Sequence, residues 1–260
     1  MNSNICVHID TLNNTVLTRG IYASDFFAAI THQPKNLLLL DTATTMGEFE
    51  SHTGMKMIKG TEAVINYGQQ WQRRGPSSQN KWIDFNDVTM LKELTPIEIS
   101  ELLYLGHTQH PLRSPFFYKL QNNFVYFDGS GYFSKTYYRY LDEFFQVLAK
   151  KITTILQPRV NERRSIFRRS SAVEPIPTIQ LKTLKHLFQE GISFSFDKAE
   201  YTNQLFKIPI YVVEDRFWKS QSAQASEQLA ASITYNANEK SWQIAIENDD
   251  LNYLINQNAN

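Results

Sequence analysis

Apolar and polar positions alternate along this chain with two different periods, and the elements follow from where the period changes. Ile5–Ile9 and Asn14–Thr18 read as a pair of strands around the turn residues Asn13 and Asn14. Ser24 can cap a short helix carrying Phe26, Phe27 and Ile30, which ends before Pro34. Leu37–Leu40 is an unbroken apolar run, the mark of a buried strand. Lys59–Trp71 places Val64, Ile65, Gly68 and Trp71 on one helical face, and RRGPSSQN then interrupts as a polar loop. The sharpest local signal is LTPIEISELLYLG. Thr95 caps the helix, Pro96 takes the first turn, where its missing N–H costs least, and Glu98 completes a capping box. Ile99, Leu102 and Leu103 should then face inward, with Gly106 as the stop.

The next segment is the aromatic block 116–145. Asn123–Phe127 and Tyr132–Tyr140 predict a hairpin around Asp128-Gly129-Ser130-Gly131. Large apolar groups on both faces place it centrally in a sheet. A long amphipathic helix follows over Leu141–Leu156, with Leu141, Phe144, Phe145, Leu148, Ile152, Ile155 and Leu156 at helical spacing. Beyond the Arg-rich, Pro-punctuated segment 158–177, a helix is expected at Ile179–Gln189 with Gly191 as its stop. Strands should follow at Ile192–Phe196 and at Ile208–Val213, the latter at an edge or started by Pro209. Ser232–Tyr235 and Trp242–Ile246 read as a hairpin, and Leu251, Leu254 and Ile255 as a last helical turn. These elements give an α+β fold with a mainly antiparallel sheet, packed helices and a central aromatic-rich hairpin. The expected organisation is a body over 1–157, a connection over 158–177, and a smaller α+β part over 178–260 packed on the first as one globular unit.

Composition narrows the class. At 260 residues with 42% hydrophobic residues, the chain can bury a proper core. Acidic and basic residues number 26 each, so overall charge steers it toward neither nucleic acid nor membrane. No apolar run approaches the roughly 18 residues needed to cross a bilayer. Cys6 is the single cysteine, which excludes an internal disulfide and a paired-cysteine zinc site. With no secretory leader in MNSNICVHID, the expectation is a cytoplasmic protein whose oligomeric state is open.

Candidate chemistry is scattered. The aromatic block is expected to be mainly core under the helix Leu141–Leu156. Its many tyrosines nevertheless make Tyr126, Tyr137, Tyr138 and Tyr140, with Arg113, a candidate surface for a small molecule or a protein partner. His107 and His110 follow a predicted helix end and are weak catalytic candidates. A metal would need a third ligand from His32, His52 or a carboxylate, and there is no HExxH, so no metal site is expected. Asp41, after a buried strand in LLLLDTATTMG, is the third weak catalytic candidate. That segment partly resembles the haloacid-dehalogenase motif, which implies a Mg-dependent phosphoryl-transfer or hydrolytic enzyme. Ala43 stands where the motif's second Asp is expected, and regular βα alternation is missing. Arg159, Arg163, Arg164, Arg168 and Arg169, opposed only by Glu162, could neutralise phosphates. A solvated or self-paired face is the plainer reading, so nucleic acid is the lesser expectation. No GxxxxGK[ST], GxGxxG or GxSxG is present and no motif names a cofactor. A ligand- or partner-binding accessory protein is therefore the leading expectation.

Overall fold

The computed structural model describes residues 4–41, 44–73, 80–108, 111–129, 133–162, 172–202, 204–213 and 228–247. Its strands are β1 (Ile5–Asp10), β2 (Thr15–Arg19), β3 (Asn36–Leu39), β4 (Glu48–Glu50), β5 (Met55–Lys59), β6 (Asn80–Phe85), β7 (Phe124–Gly129), β8 (Phe133–Tyr138), β9 (Ile192–Phe194), β10 (Glu200–Thr202), β11 (Leu205–Val212), β12 (Leu229–Asn236) and β13 (Ser241–Ile246). The helices are α1 (Ala23–Ala29), α2 (Thr61–Arg73), α3 (Pro96–Thr108), α4 (Leu141–Glu162), α5 (Thr178–Thr183) and α6 (Lys185–Glu190). The fold is α+β with antiparallel strand pairing. Two compact units divide it: residues 10–17 with 22–144, and residues 1–9 with 18–21 and 145–260.

The first of these units carries the strand order β8-β7-β6-β3-β5-β4. The predicted aromatic hairpin is β7–β8, and β7 lies between β6 and β8 with both faces covered. Side chains alternate between faces along each strand, so register sorts them into rows. Leu38, Ile83, Val125 and Tyr137 stand opposite one another across β3, β6, β7 and β8. They belong to a buried cluster with Leu102 and Leu105 of α3. The next row, on the other face, is Leu39, Trp82, Tyr126 and Thr136. There Phe26 of α1 packs edge-on against Trp82 and Phe124, at 5.6 and 5.1 Å between ring centroids. α2 lies close to α1: a Cβ added at Gly68 would sit 2.7 Å from the Phe27 ring.

The capping box of α3 forms as its sequence predicts. The Thr95 N–H donates to Glu98 Oε2 at 2.7 Å and the Glu98 N–H donates to Thr95 Oγ1 at 3.3 Å. Gly106 does not stop this helix, which continues to Thr108. It is a point of close approach to the residue that follows β3, because a Cβ there would lie 2.2 Å from the Leu40 carbonyl oxygen. The buried Lys81 ammonium donates to the Gly106 carbonyl at 2.7 Å, a cation on the negative end of the helix. At α1 the cap is Tyr22 rather than Ser24, with the Tyr22 N–H bonded to the Asp25 carboxylate at 2.9 Å.

The second unit has the order β13-β12-β11-β9-β1, with β10 on β11. α4 outruns its predicted end because Val160 continues the buried stripe of Ile152 and Leu156. The helix predicted over Ile179–Gln189 breaks at Leu184 into α5 and α6. β11 is not an edge strand, since it pairs with β12 and β9. Pro209 is tolerated there because β9 has already ended beside it. The Pro209 carbonyl accepts from Ser195, whose own carbonyl turns to the Lys198 N–H, so no ladder bond waits for the missing proline N–H. Residues 172–177 are tied into the same unit: Trp242 Nε1 donates to the Glu174 carbonyl at 2.7 Å, and the Val173 N–H donates to Gln157 at 2.7 Å. Among the described residues, no helix is long and apolar enough to cross a membrane. The last turn predicted from Leu251, Leu254 and Ile255 lies outside the described residues.

Candidate functional site

The face of the sheet under α1 and α2 begins as aromatic core and ends as a polar row. β6 has the sequence NKWIDF, so Asn80, Trp82 and Asp84 share this face. Register places Asn80 opposite Asp128, and Asp128 opposite Ser134, across β6, β7 and β8. One row further in, Trp82 faces Tyr126, their rings stacked at 5.4 Å with 10° between planes. Tyr67 reaches down from α2 and donates its hydroxyl proton to Asn80 Oδ1 at 2.9 Å.

Several polar groups of this row have no partner among the described residues. Asn80, Trp82 and Tyr126 are 1%, 0% and 2% exposed. Asn80 Nδ2, Trp82 Nε1 and the Tyr126 hydroxyl nevertheless make no hydrogen bond there. An orphaned buried group costs on the order of 1–3 kcal/mol, and folded proteins keep few of them. The contrast with Trp242 is direct, because that indole N–H is met by a carbonyl. The Asp128 carboxyl, half-buried beside them, makes no side-chain hydrogen bond or ion pair among the described residues, and burial pushes it up to about 6. The Tyr126 phenol is held well above its ordinary range by burial first, then by Asp128, with smaller contributions from Tyr138 and Asp25. The Ser134 hydroxyl acts in the opposite sense without reaching hydrogen-bonding geometry on the phenol oxygen.

Asp84, at the far end of the same face, shows what a satisfied carboxyl looks like here. It accepts from the Phe124 N–H at 2.6 Å and the Asn123 N–H at 2.9 Å, holding the entry to β7. Chemically, then, the row offers three neutral donors and one acceptor carboxyl against an aromatic wall. That set can bind a group with acceptor oxygens or nitrogens and can exchange a proton near neutral pH.

A second polar cluster is internally satisfied. The buried Glu143 carboxylate accepts from the Thr31 N–H at 2.7 Å, from the Thr31 hydroxyl and from His32 Nδ1. Burial alone would raise its pKa, but these donors outweigh it and hold the carboxyl below its ordinary value. The cluster clamps the chain after α1 to the start of α4.

The residues singled out by sequence lie elsewhere or inside. Tyr126, Tyr137 and Tyr138 are buried, so they form core and not an open stacking surface. Tyr140 alone of the four is well exposed, at 51%. Arg113 is solvent-facing and pairs with Glu101 at 3.3 Å. His107 is exposed on the last turn of α3, and His110 lies outside the described residues. Asp41 follows β3, which runs antiparallel to both β5 and β6, so the strand–helix alternation of a phosphoryl-transfer fold is missing around it. Residues 42 and 43, which would complete that motif, are outside the described residues. Arg159 turns inward to the Phe196 carbonyl and ring. Arg163, Arg164, Arg168 and Arg169 are not among the described residues. Among the described residues, no group of three or more His, Cys, Asp or Glu could hold a metal.

The row itself went unread in the sequence, apart from Tyr126. Asn80 was absorbed into the polar loop and Asp128 into the hairpin turn, whereas both are ladder residues. The available signal was NKWIDF, where polar Asn80 and Asp84 flank Trp82 on the face that the neighbouring strands bury. No protein-family model matches the chain, and searches of curated proteins and of solved structures found no match.

Proposed function

We propose that this protein binds a small molecule in the polar row of Asn80, Trp82, Tyr126 and Asp128. The observation that carries the reading is the set of three buried donors without partners beside a carboxyl without a partner among the described residues. Bound ligand would satisfy them together and offset the cost of leaving them bare. The aromatic wall supplies apolar contact, and the few polar groups supply orientation, the usual division of labour in a ligand site. A cytoplasmic setting fits the single cysteine, which is buried and whose thiol burial pushes up to about 11, away from redox chemistry. The test is a thermal-shift screen of a defined small-molecule library against the wild type, Tyr126→Phe and Asp128→Asn. Compounds acting at this site raise the wild-type Tm and lose most of that shift in both variants. Hits that stabilise all three proteins equally would refute the assignment.

A further inference from the structure

Beyond ligand binding, we propose that the outward face of α3 is the contact surface of a homodimer, with a second copy of this chain as its occupant. α3 is apolar on more than the side it buries. Leu102, Leu105 and Gly106 are buried, and Ile99 packs against the same cluster. Ile97 and Tyr104, two turns apart and so on one stripe, are 66% and 41% exposed. Leu103, which the sequence would turn inward, is 39% exposed beside them. A helix that is apolar all round is ordinarily covered all round. The charges that would keep this face wet are already engaged. Glu101, between Ile97 and Tyr104 on the helix surface, is held by Arg113 at 3.3 Å, and Glu98 is held by Lys119 at 2.8 Å. These two bonds lay residues 112–119 along α3. They bring Leu112 and Tyr118, each the chain neighbour of one of the cations and 62% and 78% exposed, to the edge of the same face.

Area and symmetry select the occupant. The five side chains leave roughly 600 Å² in water, the top of the range for the largest apolar patch on a monomer and most of the ~800 Å² that each partner contributes to a standard interface. The face is also its own counterpart. When two copies of α3 lie antiparallel across a two-fold axis near Ser100, Ile97 of each copy meets Tyr104 of the other, so one contact is made twice. Ser100 is the small residue at that crossing, where two helix axes must approach to about 8–10 Å. Its hydroxyl already donates to the Pro96 carbonyl at 2.8 Å, so covering it strands no donor. With 26 acidic and 26 basic residues, two copies carry no net charge to hold them apart. α3 packs on the sheet face opposite the polar row, so the two surfaces are independent.

Sedimentation velocity of the full chain at about 1–100 μM should show a dimer in exchange with monomer. Ile97→Glu and Tyr104→Glu each put two charges into the interface and should weaken dimerisation about 100-fold or more. Both positions are exposed, so the circular dichroism of the variants should match the wild type. Ile179→Glu, at an equally exposed position on α5, should leave the dimer intact. Ser100→Cys should form an intermolecular disulfide under mild oxidation, since the natural Cys6 is buried, and Glu239→Cys should not. A monomer at every concentration would overturn the proposal. So would a dimer that survives both Glu variants of α3, a dimer lost equally in Ile179→Glu, or equal cross-linking of the two cysteine variants.

Discussion

The Asp84 carboxyl should make folding stability depend on pH in the window where most acidic groups are silent. It is buried, and its two backbone donors, Asn123 and Phe124, do not offset the loss of solvent, so its pKa is pushed up to about 7 from 3.8. The direction follows from counting protons. Between pH ~4 and ~7 the folded chain retains a proton that the unfolded chain has released. Stability from this group is therefore complete below pH ~4 and is lost as pH rises through ~7. At about 1.4 kcal/mol per unit, the rise amounts to about 4 kcal/mol, with a slope of at most about 1.4 kcal/mol per pH unit. Asp128, raised to about 6, acts in the same direction with less burial. Groups with lowered values, such as Glu98 at about 2, change charge below this window. Urea unfolding followed by tryptophan fluorescence at pH 5, 6, 7 and 8 measures the effect. The midpoint should fall by about 1–2 M from pH 5 to pH 8. Asp84→Asn keeps an acceptor oxygen for the two backbone N–H groups and cannot ionise, so most of the slope should vanish. An equal slope in wild type and variant would show that Asp84 carries its charge in the fold at ordinary cost, and the reasoning would fail.

Other perturbations read single features. Tyr126→Phe, measured without ligand, should cost under about 1 kcal/mol or stabilise, because the hydroxyl it removes has no partner among the described residues; a loss above about 2 kcal/mol in urea unfolding would mean the hydroxyl is satisfied. Gly106→Ala pushes a methyl group against the Leu40 carbonyl and should cost about 2–4 kcal/mol, visible as a lowered urea midpoint. Thr95→Ala removes the cap of α3 and should cost about 1 kcal/mol, measured the same way. Glu98→Gln should cost less at pH 3 than at pH 7 in urea unfolding, because the stability from a carboxylate that Lys119 and Thr95 hold down to about 2, against its partial loss of solvent, is complete above pH ~4.5 and is lost as pH falls through ~2.

Local rules were legible where one residue type has one use. The capping box of α3, the buried run of β3 and the amphipathic stripe of α4 needed no knowledge of their neighbours, and they stand where periodicity put them. Gly106 and Pro209 misled because their roles are set by what lies across from them. A glycine near a helix end reads as a stop, and only the approach of Leu40 makes it a contact; a proline reads as an edge, and only the early end of β9 makes it interior. The polar row failed to show for the same reason. Asn80 and Asp128 each look like turn residues in one dimension, and they become neighbours in one polar row through a register that joins positions 48 residues apart. Tyr126 was legible as aromatic and placeable on a strand, but its missing hydrogen-bond partner is a property of the packed face. That dependence gives the row its meaning. A sequence under pressure only to fold would fill three covered positions with Leu or Phe, which need no partners, and would not place a lone carboxyl beside them. Keeping Asn, Trp, Tyr and Asp there costs on the order of several kcal/mol in unmet hydrogen bonds, and a bound molecule that meets them is the simplest physical offset.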